Sequence, residues 1–401
     1  MFCRRLPLVF GGHVAPGYEN VERVFRQNFE KDYETHGGAA FAAYHKGQLV
    51  VDLWGGYADS DAYRPWTADT LALVFSSTKA VGSLCVAMLV DRGHVAYDDL
   101  VTKYWPEFGQ QGKEMTTVRM LLDHQAGLPA LDAKVALNQV DDWRLISTLI
   151  ENQKPLWTPG TATGYHGFTF GWLVDQLVRR VDPKQRGIAE FYQQEIAEPY
   201  DLEFSIGLQP EDNYRAVRLT QAGFCEMLKY IFDLDALRVV WKMITAPRDS
   251  AFNKLRNSVD WLFGPRGTIV FNNPDIRALK LVSMSGAGTA RSLARIFSLA
   301  NSKNGLFTNR TILDTLSEPV LVNQVDVLLG FRVTRGHGFQ YWKSPDDQYQ
   351  FGHPGFGGQN VKLDVHKDVS LAYFRSHLIP DMYGMPCPLK RLENALYDCI
   401  A

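Results

Sequence analysis

The tetrapeptide Ser76-Ser77-Thr78-Lys79 stands where an apolar, strand-like run, Leu71 to Phe75, gives way to an amphipathic helical pattern over Ala80 to Val90. That junction puts Ser76 near a helix start. Free backbone N–H groups and a partial positive charge there suit an alkoxide or oxyanion. Lys79 lies three residues on, so it shares a helix face with Ser76 and reaches its hydroxyl. A serine is a weak nucleophile until a neighbouring base takes its proton, and an amine held neutral by burial is such a base. No second Ser-x-x-Lys occurs in the chain. The motif arises readily by chance, and Ser76 alone reads equally well as a helix N-cap, so chemistry needs partners.

Two partners lie downstream. The first is Tyr165, within Trp157-Thr-Pro-Gly160-Thr-Ala-Thr-Gly-Tyr165-His-Gly167. Pro159-Gly160 dictates a turn, and Phe168 to Arg180 carries apolar residues at helical spacing. Tyr165 is therefore expected on a loop just before a helix. The second is Phe351-Gly-His353-Pro-Gly355-Phe-Gly-Gly358, followed by a strand-like run from Gln359 to Val365. Glycines let a backbone approach a ligand closely, as an N–H donor to an oxyanion must.

Ser-x-x-Lys, a tyrosine loop and a His-x-Gly strand, in that order, resemble the serine β-lactamase family. The likeness is to the class C branch with its family VIII carboxylesterases and eukaryotic β-lactamase domain-containing proteins. It extends from about His36 to Arg375 and includes Gly37-Gly-Ala-Ala-Phe-Ala-Ala-Tyr44, Leu53-Trp-Gly-Gly-Tyr57, Leu121-Leu-Asp-His-Gln-Ala-Gly-Leu-Pro129 and Gly286-Ala-Gly-Thr-Ala-Arg-Ser-Leu-Ala-Arg295. The resemblance implies an α+β, serine β-lactamase/D-Ala carboxypeptidase-like fold: an antiparallel sheet with flanking helices, plus a mainly helical half. The whole chain, 1–401, would form one catalytic domain, with 1–75 and 290–401 building the sheet half and 76–289 the helical half. It also implies roles: Ser76 as the acylated nucleophile, Lys79 and Tyr165 sharing base and acid work, the N–H groups of Ser76 and Phe356 as oxyanion donors, and His353 and Gly355 lining the substrate site.

Two departures from the family pattern bear on the substrate. Tyr-x-Asn is replaced by Tyr165-His166-Gly167, which removes the amide that grips a lactam side chain. Lys-Thr-Gly is replaced by His353-Pro354-Gly355, which exchanges a permanent cation for an imidazole mostly neutral at pH 7. Both changes occur in esterase-like members. The expectation is thus a carboxylesterase-type serine hydrolase acting through an acyl-enzyme on small esters. An amide-cleaving peptidase or weak β-lactamase is the alternative with the same chemistry. A non-catalytic scaffold of the same fold, which would bind partners or self-associate, is the alternative from another class, and retention of Ser76, Lys79 and Tyr165 together argues against it. His124 reads as a structural loop tie, and His166 stays open.

Other chemistries find no motif. Gly-x-Ser-x-Gly, His-Glu-x-x-His and Cys-x-x-Cys are absent, and Gly109-Gln-Gln-Gly112-Lys113 lacks phosphate-loop spacing. No metal or cofactor is expected. With 401 residues, 46% of them hydrophobic and 21% charged, the chain can bury a large core, and a net charge of −2 gives no electrostatic case for nucleic acid. No apolar run is long enough to span a bilayer. Cys3, Cys85, Cys225, Cys387 and Cys399 are scattered, which argues for a reducing compartment. The N-terminal Met1 to Phe10 is too short for a secretory signal, so the cytosol is expected, with mitochondria the alternative. Oligomeric state is not legible, and a homo-oligomer stays open.

Short strands are expected at Ala39 to His45 and Leu49 to Trp54 around a Lys46-Gly47-Gln48 hairpin, and at Val325 to Arg335 and Val361 to Phe374. Helices are expected at Val81 to Arg92, Val140 to Glu151, Phe168 to Arg180, Ile188 to Glu198, Arg291 to Asn301 and Pro388 to Cys399. The aromatic-rich stretch from Ser205 to Leu279 is expected to cap the site.

Overall fold

The computed structural model describes residues 6–31, 34, 37–222, 247, 250–265, 268–379 and 388–400. The first strands are β1 (Phe10–Val14), β2 (Gly38–His45), β3 (Gln48–Asp59), β4 (Arg64–Pro65), β5 (Ala72–Leu73), β6 (Phe204–Ile206), β7 (Thr220–Gln221) and β8 (Gly286–Gly288). The C-terminal ones are β9 (Leu321–Val325), β10 (Arg332–Gly336), β11 (Phe339–Lys343), β12 (Tyr349–Gly355), β13 (Gln359–Asp364), β14 (Val369–Arg375) and β15 (His377–Leu378). Nine of them run in the order β1-β3-β2-β14-β13-β12-β11-β10-β9, and β4 pairs with β3 to complete a ten-stranded sheet.

The sheet joins the two ends of the chain. Ala42 of β2 lies opposite Ala372 of β14 in an antiparallel ladder that runs from Ala39↔Arg375 to His45↔Val369. Alternate side chains of β2 enter two different cores, because strand side chains alternate with period two. Phe41 packs with Val21, Phe25 and Phe29 of α1 (Glu19–Glu30) and with Leu392 and Leu396 of the C-terminal helix Pro388–Ile400. Ala42 and Tyr44 face the larger core, which includes Leu293, Ile296 and Phe297 of the helix Ala290–Asn301. This central strand is therefore buried on both faces, and its small alanines let the layers approach.

The Lys46-Gly47 turn joins β2 to β3, with φ of 51° and 74° at its two residues. Positive φ at both central positions matches the twist of a two-residue hairpin. Elsewhere the sheet differs from expectation in two places, and the first is that Val325 to Arg335 is not one strand. β9 ends at Val325, Asp326 accepts from the amides of Leu328 and Leu329, and the chain turns before β10 begins. The expected run from Val361 to Phe374 is likewise two strands, β13 and β14, joined at a turn.

α2 (Thr78–Asp91) runs through the middle of the molecule, and every residue from Thr78 to Leu89 is buried. The expectation of an amphipathic helix is corrected here. A helix apolar on all sides is one surrounded by protein. The helices Trp143–Asn152 and Thr169–Val181 form within one to three residues of their expected positions. Ile188 to Glu198 divides into an α-turn, Ile188–Tyr192, and a π-helical segment, Gln193–Ala197. A small antiparallel sheet, β5-β8-β6, also lies in this part of the chain and holds the approach to α2. Much of the expected cap, 223–246 together with 248–249 and 266–267, falls outside the described residues, as do Cys3, Cys225 and Cys387. Cys85 and Cys399 carry free thiols. Among the described residues no helix is long and apolar enough to cross a membrane.

Lys362 of β13 ties the C-terminal helix to the sheet through Glu393, at 2.9 and 3.1 Å, with both residues nearly solvent-free. Removing Lys362 leaves the buried Glu393 to Gln350 and the half-exposed Lys390, so Lys362→Met is expected to cost about 3 kcal/mol in urea unfolding, the low end for a broken buried pair. Lys362→Met with Glu393→Leu is expected to recover most of it. A loss of less than about 1 kcal/mol in the single variant, as for an exposed pair, would contradict this assignment.

Candidate active site

Val74 leads from β5 into a short 3₁₀ turn, Phe75–Ser77, which runs straight into α2. Phe75 has φ 48°, a left-handed conformation that a bulky residue adopts only under constraint. Its ring supplies the constraint, buried edge-on against Phe271 at 4.8 Å and Phe356 at 5.6 Å. Thr78 Oγ1 closes the turn by donating to the Phe75 carbonyl at 2.5 Å and accepts from Gly286 N at 2.8 Å. The outcome is selective exposure. From Leu71 to Leu89, Ser76 is the one residue that is not buried.

Two side chains converge on the Ser76 hydroxyl. Lys79 Nζ donates to Ser76 Oγ at 3.0 Å, and Tyr165 OH donates to it at 2.8 Å. Lys79 is completely buried, and its Nζ also donates to the Ser283 carbonyl at 2.7 Å. Burial, and secondarily the charge of Arg335, hold its pKa well below the usual lysine range. The surroundings thus favour the neutral amine, the form able to accept a proton. Burial pushes the Tyr165 hydroxyl up to about 12, against the opposing effects of the Ser76 hydrogen bond and Arg335.

The Tyr165 loop is held by two histidines. His166 Nε2 accepts from Leu128 N at 2.9 Å while Nδ1 faces the Gly164 carbonyl at 2.6 Å. Both nitrogens are thus committed, and burial lowers its pKa to about 3. The question the sequence left open at His166 resolves to a structural tie. His124 Nδ1 accepts from His166 N at 3.1 Å, and its ring lies 5.0 Å from that of Tyr165. The conformation of His124, with φ 61°, marks the corner where this segment turns.

β12 forms the opposite wall. Ser77 Oγ donates to the His353 carbonyl at 2.9 Å, which fixes the strand against the nucleophile turn. A Cβ at Gly355 would stand 2.2 Å from the Val74 carbonyl, so only glycine allows this approach. Phe356 follows at the hairpin, 61% exposed, with its ring against that of Phe75 in the turn that carries Ser76. His353 is buried with its ring 6.0 Å from Tyr165, and Nδ1 bonds the Pro354 carbonyl at 2.7 Å. Burial drives this imidazole neutral, so it supplies no cation.

The structure thus gathers all six residues singled out in the sequence around the turn that carries Ser76. Sequence reasoning missed the Ser283 carbonyl, Thr163, Asp326 and Arg335. A carbonyl has no sequence signature, and the other three converge from positions 163, 326 and 335 with no local motif. Val327 and Leu328 belong to no motif either, and with Trp157 their side chains crowd Gly164, next to Tyr165 in the chain.

An antiparallel sheet backed by helices, with Ser, Lys and Tyr meeting at the head of a buried helix, defines the class of active-site serine hydrolases related to penicillin-binding proteins. The chain belongs to the β-lactamase family, whose family model matches residues 25–385. It is 30% identical over 389 residues to the esterase/beta-lactamase LipL of Mycobacterium tuberculosis, covering 92% of this chain and 83% of that protein. A penicillin-binding protein homolog from Caulobacter crescentus superposes with a TM-score of 0.80 at 30% identity, covering 98% of this chain and all of that one. A family VIII carboxylesterase gives 0.79 at 27% identity with the same coverage.

Gly355→Ala is expected to displace the Phe356 amide and slow acylation by about 10²–10³-fold, the usual effect of losing one oxyanion donor. Stopped-flow measurement with an activated ester checks this, and an unchanged rate would remove that amide from the site.

Proposed function

We propose that the protein is a carboxylesterase-type serine hydrolase in which Ser76 carries the acyl group. The observation that carries this reading is the double contact on Ser76 Oγ, from Lys79 at 3.0 Å and Tyr165 at 2.8 Å. Ser76 Oγ attacks the ester carbonyl as its proton passes to Lys79 or Tyr165, and the new C–O bond places a negative charge on the carbonyl oxygen. In this reading the amides of Ser76 and Phe356 receive that oxyanion. Collapse breaks the bond to the alkoxy group, which leaves with the transferred proton as the alcohol. Water then repeats the sequence on the acyl-enzyme, and the acid departs. The scheme calls on no cofactor.

Ester specificity is supported by what the walls offer. His353 is neutral where the pattern of lactamases has lysine, and Gly167 replaces their asparagine, so neither a carboxylate clamp nor an amide clamp is supplied by those positions. Phe271 and Phe356 pack on Phe75 in the turn that carries Ser76, and Trp157, Val327 and Leu328 crowd Gly164 next to Tyr165, so apolar groups flank the reacting residues instead. Apolar flanks favour acyl and alkoxy groups over charged ones. The spread of the six residues from Ser76 to Phe356 supports treating the chain as one catalytic unit. Free thiols at Cys85 and Cys399 fit a cytosolic setting.

Intact-protein mass after treatment with a fluorophosphonate tests the reading. One adduct is expected on the wild type and none on Ser76→Ala. Lys79→Met is expected to slow labelling by about 10²–10⁴-fold, the range for loss of a general base. Wild-type labelling is expected to fall at low pH, because Lys79 cannot take the serine proton once it is protonated. A folded wild type that acquires no adduct would exclude the hydrolase reading and favour the scaffold.

A further inference from the structure

One cation lies behind the site and takes no part in the scheme above. Arg335, on β10, is 1% exposed, and its Nη1 stands 2.8 Å from the carboxylate of the fully buried Asp326. The same Nη1 donates to Thr163 Oγ1 at 3.0 Å, two residues before Tyr165. The guanidinium carbon lies 5.5 Å from the centroid of the Tyr165 ring, and Lys79 Nζ lies 5.1 Å from that centroid. Asp326 also pairs with Thr163 in a parallel bridge, and Val327 N donates to the Thr163 carbonyl at 2.9 Å. The pair therefore clasps the tyrosine loop from the sheet side.

Its hydrogen bonding is incomplete in an informative way. Arg335 Nε and Nη2 are buried and have no hydrogen-bond partner among the described residues. Unmet donors on a buried charge are expensive, and a well-packed apolar pair is often at least as stable as a buried ion pair. Stability alone does not account for Arg335.

The surrounding groups show what the charge does. Tyr165 is faced by Lys79 from α2, by His353 from β12, by His124 and His166 from its own side of the cleft, and by Arg335 and Asp326 from the sheet edge. Burial drives Lys79, His353, His124 and His166 toward their neutral forms. Asp123 lies near Arg335 with its carboxyl pushed up to about 7 by burial. A guanidinium, by contrast, stays protonated at any working pH. Arg335 is thus the permanent cation of the set, and Asp326 is its counter-ion.

We propose that Arg335 is a positioning residue that acts as the fixed cation of this site, setting the proton affinity of the Lys79–Tyr165 pair from behind the ring, where the pattern of lactamases has a lysine in front. Its field disfavours a proton on Lys79 and favours a phenolate at Tyr165, so it promotes loss of the serine proton whichever of the two receives it. Asp326 tempers that field, and Thr163 transmits the position. This rests on the acyl-enzyme reading above.

The test is the pH dependence of fluorophosphonate labelling in four proteins: wild type, Arg335→Met, Arg335→Lys and Asp326→Asn. The acid limb is expected to move up by about one pH unit in Arg335→Met, because removing a like charge lets Lys79 hold its proton to higher pH. It should return most of the way in Arg335→Lys and move down in Asp326→Asn. Near-UV circular dichroism establishes that each variant is folded. Slower labelling with the acid limb unmoved, or moved the same way in Arg335→Met and Asp326→Asn, would overturn the proposal, since a merely structural clasp has no sign. If Arg335→Met does not fold, the downward shift of Asp326→Asn decides alone, and its absence refutes the fixed-cation role. Failure of the acyl-enzyme reading looks different, because the wild type would then take no label at all.

Discussion

The buried amine of Lys79 is the constraint around which the rest of the molecule is arranged. A lysine with no solvent exposure must either find a full counter-charge or give up its proton, because an unpaired ammonium in a dry interior is prohibitively costly. Its hydrogen-bond partners are neutral, the Ser76 hydroxyl and the Ser283 carbonyl. The nearby permanent charge is Arg335, which repels a proton further. The surroundings therefore select the neutral amine, and they can do so because α2 is enclosed on every side by other elements. Central burial of the helix is what gives Lys79 its chemistry.

That enclosure depends on the closure of the sheet by both ends of the chain. β2 and β3 pair with β14, and α1 packs against the C-terminal helix. With that frame closed, β12 runs beside the nucleophile turn, and Ser77 and Gly355 fix its distance. Phe75 then takes an unfavourable backbone conformation costing about 1–3 kcal/mol. Burial of its ring contributes about as much in return. The strain thus costs little in net stability, and it leaves Ser76 alone facing the cleft.

The legible parts of the sequence were those in which one segment carries its own signal. The helices Trp143–Asn152, Thr169–Val181 and Ala290–Asn301 have strong apolar periodicity and form close to where it places them. Lys46-Gly47 is a turn by chemistry alone. Val325 to Arg335 was misread because apolar Val325, Val327, Leu328 and Leu329 imitate a continuous strand, while the turn is made by the side chain of Asp326. α2 read as amphipathic because its few polar residues, such as Ser83, bond inward to backbone carbonyls and not to water. In the site, Ser76, Lys79, Tyr165 and the His353 to Phe356 segment stood out through a shared motif order. Arg335 and Asp326 could not, since their meaning comes from a tertiary contact with Thr163 and Tyr165 that no local pattern encodes.

The most direct test of the buried neutral amine is an NMR titration of protein labelled with 13C and 15N at lysine, with the Lys79 signal assigned by its absence in Lys79→Met. The account predicts that the Lys79 Cε and Nζ shifts are those of a free amine at pH 7 and move toward the ammonium values only as the pH is lowered. An ammonium signature that persists from pH 7 up to the ordinary lysine range, about pH 10, would contradict it, and Lys79 could not then serve as the base that activates Ser76.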